Sequence, residues 1–228
     1  MSDSISTDED DPRELKTYFY HLTVTRRIVE PFLRAGFHII GSIHTIGVNH
    51  FPSDGPVVVA ANHLANFDVF PLQFALPRPL FYMGKEEIFR NPLMDWFLRN
   101  LGAFPVVRGV KDEWAIKHAE KILEHGLVLG IFPEGTRSKG KGLKSAKTGA
   151  ARLAQAINCP IVPVALHGTQ YMFRKFPHRT SIKVTIGEPI QPVAGDTHLE
   201  LTDRMMFAIA EMLPPESRGV YRYRPKGF

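Results

Sequence analysis

The chain has 228 residues, of which 44% are hydrophobic and 22% charged, a balance that suits one large folded domain and excludes a disordered, collagen-like or polytopic membrane chain. No run of about 18 apolar residues occurs, so no ordinary membrane-spanning helix is expected. Five acids and no base fall in residues 1–11, leaving 28 bases against 18 acids in the rest; that excess points to anionic partners, whether nucleic acid, anionic membrane or phosphorylated small molecules.

Residues 1–12 read as a disordered acidic leader, too polar to bury a core and of the wrong sign for a signal peptide. An amphipathic helical motif is expected over residues 13–36, where Leu15, Tyr18, Phe19, Leu22, Val29, Phe32 and Leu33 fall near a helical repeat. Pro31 should kink or end its first helix. The aromatic face beside Arg26, Arg27 and Arg34 has the make-up of an interfacial anchor, and equally of a helix packed on its own domain. Strands and helices then alternate. Short apolar runs at Pro56–Ala61, Leu127–Phe132 and Ile161–Leu166 read as buried central strands; Leu80–Met83 and Phe104–Val107 are shorter strands, and Ser181–Ile186 alternates as a more exposed one. Helices are expected at Val69–Leu76, Asn91–Asn100, Asp112–His125, Ser145–Ile157 and Leu199–Leu213. The alternation predicts an α/β fold over residues 37–213, with a mostly parallel central sheet covered by helices. Residues 214–228 form a basic tail in which Arg218, Arg222, Arg224 and Lys226 interleave with Tyr221 and Tyr223. The single cysteine, Cys159, excludes an internal disulfide and a multi-cysteine metal site, and a cytoplasmic setting follows as the default.

Two of the buried strands run into polar clusters, and ligands of such sheets sit at the carboxyl ends of strands. After the first come Asn62, His63, Asn66 and Asp68. Five residues along a continuous helix would put His63 and Asp68 roughly 140° apart. They can meet only if His63 lies on the strand-to-helix turn and Asp68 on the first helical turn. In that arrangement Asp68 fixes the imidazole tautomer and leaves the other nitrogen free to take a proton. The alternative is that Asp68 or Asn66 merely caps the helix. After the second strand come Pro133, Glu134, Gly135, Thr136, Arg137 and Ser138, a glycine with hydroxyls and bases that suits an oxyanion or phosphate. Gly135, Gly140 and Lys141 approach a nucleotide-binding P-loop, but Gly142 stands where the magnesium-binding hydroxyl belongs. No G-x-S-x-G elbow, metalloprotease motif or nucleic-acid motif is present.

Together these clusters carry a resemblance. N-H-L-A-N-F-D at 62–68 resembles the N-H-x4-D motif of the glycerolipid acyltransferases, and F-P-E-G-T-R-S at 132–138 matches that family's third motif residue for residue. G-A-F-P-V-V-R at 102–108 looks like the second motif and I-V-P-V-A at 161–165 like the fourth, in the family's order and spacing across roughly residues 40–190. The short chain with N-terminal helices is most similar to bacterial members that acylate lysophosphatidate.

The resemblance implies acyl transfer from acyl-CoA or acyl-carrier protein to the hydroxyl of lysophosphatidate, or to that of another lysophospholipid, a glycolipid or an ornithine lipid. It implies His63 as general base and Asp68 as its orienter, with no acyl-enzyme intermediate. Arg108, Glu134, Gly135, Thr136 and Arg137 would hold the acceptor and its phosphate, with Lys85 near the reacting centre. No metal or cofactor is implied, and no nucleic-acid partner. The expected location is the cytoplasmic face of an anionic membrane, held peripherally or monotopically. The run Lys139–Lys147 has no counterpart in the resemblance.

Overall fold

The computed structural model describes residues 11–174 and 178–224. Most of the expected acidic leader and Lys226 lie outside the described residues. Seven strands form one sheet: β1 (Gly41–Ile46), β2 (Val57–Ala61), β3 (Leu80–Lys85), β4 (Ala103–Val106), β5 (Val128–Ile131), β6 (Ile161–His167) and β7 (Thr180–Ile186). The spatial order is β1-β7-β6-β2-β5-β3-β4. Every neighbouring pair is parallel except β6 and β7. The carboxyl ends of β2, β3, β4, β5 and β6 therefore open on one rim.

Among the described residues six α-helices flank it: α1 (Val24–Ile40), α2 (Val69–Ala75), α3 (Pro92–Asn100), α4 (Glu113–Glu124), α5 (Gly149–Ile157) and α6 (His198–Glu211). All five residues of β2 are buried, because both faces of the sheet are covered. Val57, Val59 and Ala61 join a core with Phe37 of α1 and Leu72 and Phe74 of α2. Val58 and Ala60 point the other way, into a core with Ala119 and Ile122 of α4, Ala151 of α5 and Met205 of α6. Alternation along a strand feeds both layers, and each fully buried Val or Ile contributes about 1.5–3 kcal/mol.

The N-terminal region departs from expectation. The helix begins at Val24, not near Arg13; residues 12–23 make turns and an extended strap. Arg13 bonds bidentately to Asp112, the N-cap of α4, with distances of 2.6 and 2.9 Å, and lies over the Trp114 ring. Tyr18 and Tyr20 pack on His118 of α4. The aromatic spacing that reads as a helical face thus serves strap packing. Thr23 caps α1 by accepting from the Arg26 N–H and donating to the Asn100 carbonyl. Pro31 lies inside α1 without ending it.

Two of the three arginines assigned to an interfacial face turn inward. Arg26 is 2% exposed and donates to the Leu80 carbonyl, Gln73 and Glu30. Its guanidinium lies so close to Gly102 (φ 86°) that a Cβ there would come within 2.8 Å of Nη1. Arg34 donates to the Phe74 carbonyl, near the C-terminus of α2, where a cation is favoured. Only Arg27 of the three is exposed. The outer side of α1 instead shows Val24, Ile28, Phe32 and Ile39.

The C-terminal segment is partly tied down. Leu143 exchanges backbone hydrogen bonds with Ser217 and Val220. Tyr221 is buried at 9% exposure, its hydroxyl accepting from the Ala146 N–H. The basic run 139–147 and the tail thus brace each other. Cys159 is 1% exposed, and burial pushes its thiol up to about 11, as suits a packing residue.

Candidate active site

The site begins where β2 ends. Asn62 is 1% exposed; its side chain donates to the Leu166 carbonyl and accepts from the Leu166 N–H, at 3.0 and 2.7 Å. This pairing carries the β2–β6 attachment one residue past the ladder. The chain then turns through residues 63–68 into α2.

Asp68 stands at the start of α2, but its side chain does not cap that helix. Oδ2 faces back across the turn and accepts from the Leu64 N–H (2.5 Å) and the Ala65 N–H (2.8 Å), and lies 2.7 Å from His63 Nδ1. Asp68 is fully buried, and Oδ1 has no partner among the described atoms. With a carboxylate accepting, Nδ1 carries the proton and Nε2 keeps its lone pair. The His63 side chain is 13% exposed, so the ring is held while an edge reaches the rim. Phe132 stacks on it at 4.2 Å between centroids, 20° from parallel. The cap-only alternative is thereby set aside: the two residues meet in the one arrangement that their spacing allows.

The loop after β5 locks the same turn from the other side. Glu134 is 4% exposed; Oε1 accepts from the His63 N–H at 2.8 Å and Oε2 from the Lys144 N–H at 2.9 Å. Burial pushes its carboxyl pKa up, opposed by those two hydrogen bonds. The Ser138 N–H donates to the His63 carbonyl at 2.7 Å. Glu134, expected as a substrate ligand, therefore has both oxygens engaged by backbone beneath the turn. Its first oxygen thereby ties the loop after β5 to the backbone of His63.

Gly135 takes φ 64°, a left-handed conformation that favours glycine. The Lys147 stem lies over it, with Cε 3.4 Å from where a Cβ would stand. Thr136 and Arg137 are exposed. Arg137 lines a cleft with Asn66 and Phe67 of the His63 turn, a cleft that Arg108 does not line. Arg108, two residues past β4, is exposed. Lys85 ends β3 and pairs with Glu87 at 2.7 Å, both partners half-exposed. All the candidate residues thus belong to one rim, but the structure divides its cations between the β3–β4 end and the β5–β6 end. Phe132 lies within the third motif and Lys147 within the basic run 139–147, and only the fold brings them against His63 and Gly135. Among the described residues, no group of three His, Cys, Asp or Glu could hold a metal ion.

A doubly covered, mainly parallel sheet thus presents a carboxylate-bonded histidine at a strand end, with no serine or cysteine hydrogen-bonded to its ring among the described residues. The chain belongs to the acyltransferase family: the profile described as "Acyltransferase" matches residues 42–167, more than half its length. A 1-acyl-sn-glycerol-3-phosphate acyltransferase of Bacillus subtilis (strain 168) is 34% identical over 169 residues, covering 72% of this chain and 81% of that protein. A chloroplastic 1-acyl-sn-glycerol-3-phosphate acyltransferase of Arabidopsis thaliana is 32% identical, but the match covers 56% of this chain and only 36% of the plant protein. Among solved structures, the 1-acyl-sn-glycerophosphate acyltransferase PlsC of Thermotoga maritima superposes with a TM-score of 0.67 at 26% identity, covering 80% of this chain and 76% of the other.

Proposed function

We propose that the chain transfers a fatty acyl group from acyl-CoA or acyl-carrier protein to the free hydroxyl of 1-acyl-glycerol-3-phosphate, giving phosphatidate for phospholipid synthesis. The observation that carries this reading is the His63–Asp68 hydrogen bond, which leaves Nε2 as the basic nitrogen at the rim. Nε2 takes the proton of the acceptor hydroxyl as its oxygen attacks the thioester carbonyl. The C–O bond forms, the C–S bond breaks, and the proton passes to the departing thiolate. Asp68 stabilises the imidazolium between those steps. The Ser138 hydroxyl, buried without a hydrogen-bond partner, is not coupled to His63, which favours direct transfer over an acyl-serine.

Lysophosphatidate as acceptor rests on the names of the relatives and on Arg108 and Arg137, guanidiniums suited to a phosphate. The exposed apolar side of α1, together with Leu93 and Trp96 of α3, suits docking on a bilayer, and the excess of bases favours an anionic one. Among the described residues, no helix is long and apolar enough to cross a membrane. The reading is tested with a panel of acceptors against one acyl-CoA. Arg108→Ala and Arg137→Lys should impair use of lysophosphatidate, by roughly 10- to 150-fold in kcat/KM for a lost bidentate contact, and spare monoacylglycerol. Equal loss on both acceptors in the Arg108→Ala protein, or preference for a glycolipid or ornithine lipid, would overturn the assignment.

A further inference from the structure

On the β6 side of His63 lies a cleft of about 320 Å³. One wall is the turn that carries His63, the second is the loop with Arg137 and Lys139, and the third is the segment after β6 with Thr169, Gln170 and Arg174. Three cations line it and no acid does. Arg137, Lys139 and Arg174 are exposed, and none is in an ion pair with a described carboxylate. Like charges gathered without a counter-charge repel one another, and among the described residues no carboxylate lines the cleft to offset that repulsion.

A second feature points the same way. Thr169 lines the cleft, is 1% exposed, and its hydroxyl has no hydrogen-bond partner among the described atoms. A buried hydroxyl without a partner is costly unless a ligand supplies one. Gln170 is fixed in place: its Oε1 accepts from the Gly168 N–H at 3.0 Å. At the outer end, Phe67 and Phe173 meet edge to face at 5.5 Å. The wall therefore combines polar groups, exposed cations and an aromatic edge, with Arg174 lying over the Tyr171 ring at 5.7 Å.

We propose that this cleft is a phosphate subsite of the transfer reaction, in which Lys139, Thr169 and Arg174 extend the anion site past Arg137 to the side of His63 away from β4. The inference rests on the acyl-transfer reading and adds to it. A reaction that joins an acyl-CoA to a phosphorylated acceptor brings phosphates to His63 on both substrates. The rim has two separate sets of cations, Lys85 and Arg108 on one side and this cleft on the other. The ligand chemistry is a phosphate ester, and its source is either the coenzyme A part of the donor or the phosphate of the acceptor.

The test uses the full chain and two probes that need no turnover, coenzyme A and glycerol 3-phosphate, with binding measured by calorimetry. Lys139→Ala and Arg174→Ala change exposed side chains outside the His63 turn. Each should weaken one probe by roughly tenfold, the scale of a single charge-assisted hydrogen bond, and Arg174→Lys should recover part of the loss. Loss confined to coenzyme A places the donor in the cleft, and KM for acyl-CoA should then rise while that for a phosphate-free acyl-pantetheine stays constant. Loss confined to glycerol 3-phosphate places the acceptor there. Unchanged binding of both probes in both variants would overturn the subsite. That failure leaves the acyl-transfer reading intact if the wild type still releases thiol, whereas a wild type that binds the probes in the cleft but never releases thiol would refute the reading and keep the subsite.

Discussion

Replacing Glu134 by Gln tests whether the loop after β5 holds the His63 turn. The substitution keeps the shape but converts two acceptors into one acceptor and one donor. In the wild type each oxygen is met by a backbone N–H, from His63 at 2.8 Å and from Lys144 at 2.9 Å. The Gln amide must therefore set its NH₂ against one of those N–H groups, while its oxygen keeps the other bond in weaker, neutral form. A buried N–H without a partner costs about 1–3 kcal/mol, and the loss of charge assistance about 1 kcal/mol more. Relief from burying a carboxylate, whose pKa burial raises, offsets part of this, giving a net loss of about 1–3 kcal/mol. For a chain of this size that lowers Tm by roughly 2–12 °C. Turnover should fall as well, because the flip that favours the Lys144 side displaces the His63 backbone. Calorimetry and thiol-release kinetics on the same preparation measure both. Unchanged Tm with a large rise in KM for the acceptor would refute the bracing role and return Glu134 to the substrate-ligand role read from the sequence.

The remaining expectations concern the orienting carboxylate, the strap and the outer face of α1. Asp68→Asn should cut turnover roughly 10²- to 10⁴-fold while the chain stays folded, as circular dichroism can verify; full activity would show that the carboxylate does not orient His63. Burial, with a smaller push from Lys121, lowers the His118 imidazole pKa from 6.5 to about 4, so the folded protein binds fewer protons there than the unfolded chain. Its stability is complete above about pH 6.5, falls as the pH drops, and bottoms out near pH 4 after a loss of about 3 kcal/mol. His118→Phe should flatten that part of a urea-denaturation profile, and an unaltered profile would refute the assignment. Ile28→Asp with Phe32→Asp, at 58% and 75% exposed positions, should lower partition onto anionic vesicles roughly tenfold or more by removing two apolar contacts; equal partition would place the membrane contact elsewhere.

The sheet was legible because its central strands are continuous apolar runs bounded by turns, and such runs have no other place than between two helical layers. The His63–Asp68 pair was legible because the spacing permits contact in a single arrangement. Strand β1 was not: Gly41–Ile46 is a short edge strand with an uneven burial pattern, set directly after a helix. The strap was misread because Tyr18 and Tyr20 carry aromatic rings at positions that fit a helix, whereas their partners Trp114 and His118 lie far along the chain. Arg26 and Arg34 read as surface cations because the carbonyls that bury them, of Leu80 and Phe74, become neighbours only in the folded chain. Glu134 was placed in the right loop, but only the fold reveals that both its oxygens are engaged by backbone.

We propose His63 as the general base of direct acyl transfer. That role is tested most directly by mixing acyl-CoA and lysophosphatidate with wild type and with His63→Ala, and following free thiol and phosphatidate together. The wild type should yield one phosphatidate per thiol, and the folded variant should be slowed roughly 10²- to 10⁴-fold. A folded His63→Ala protein that forms phosphatidate at near the wild-type rate would contradict that role.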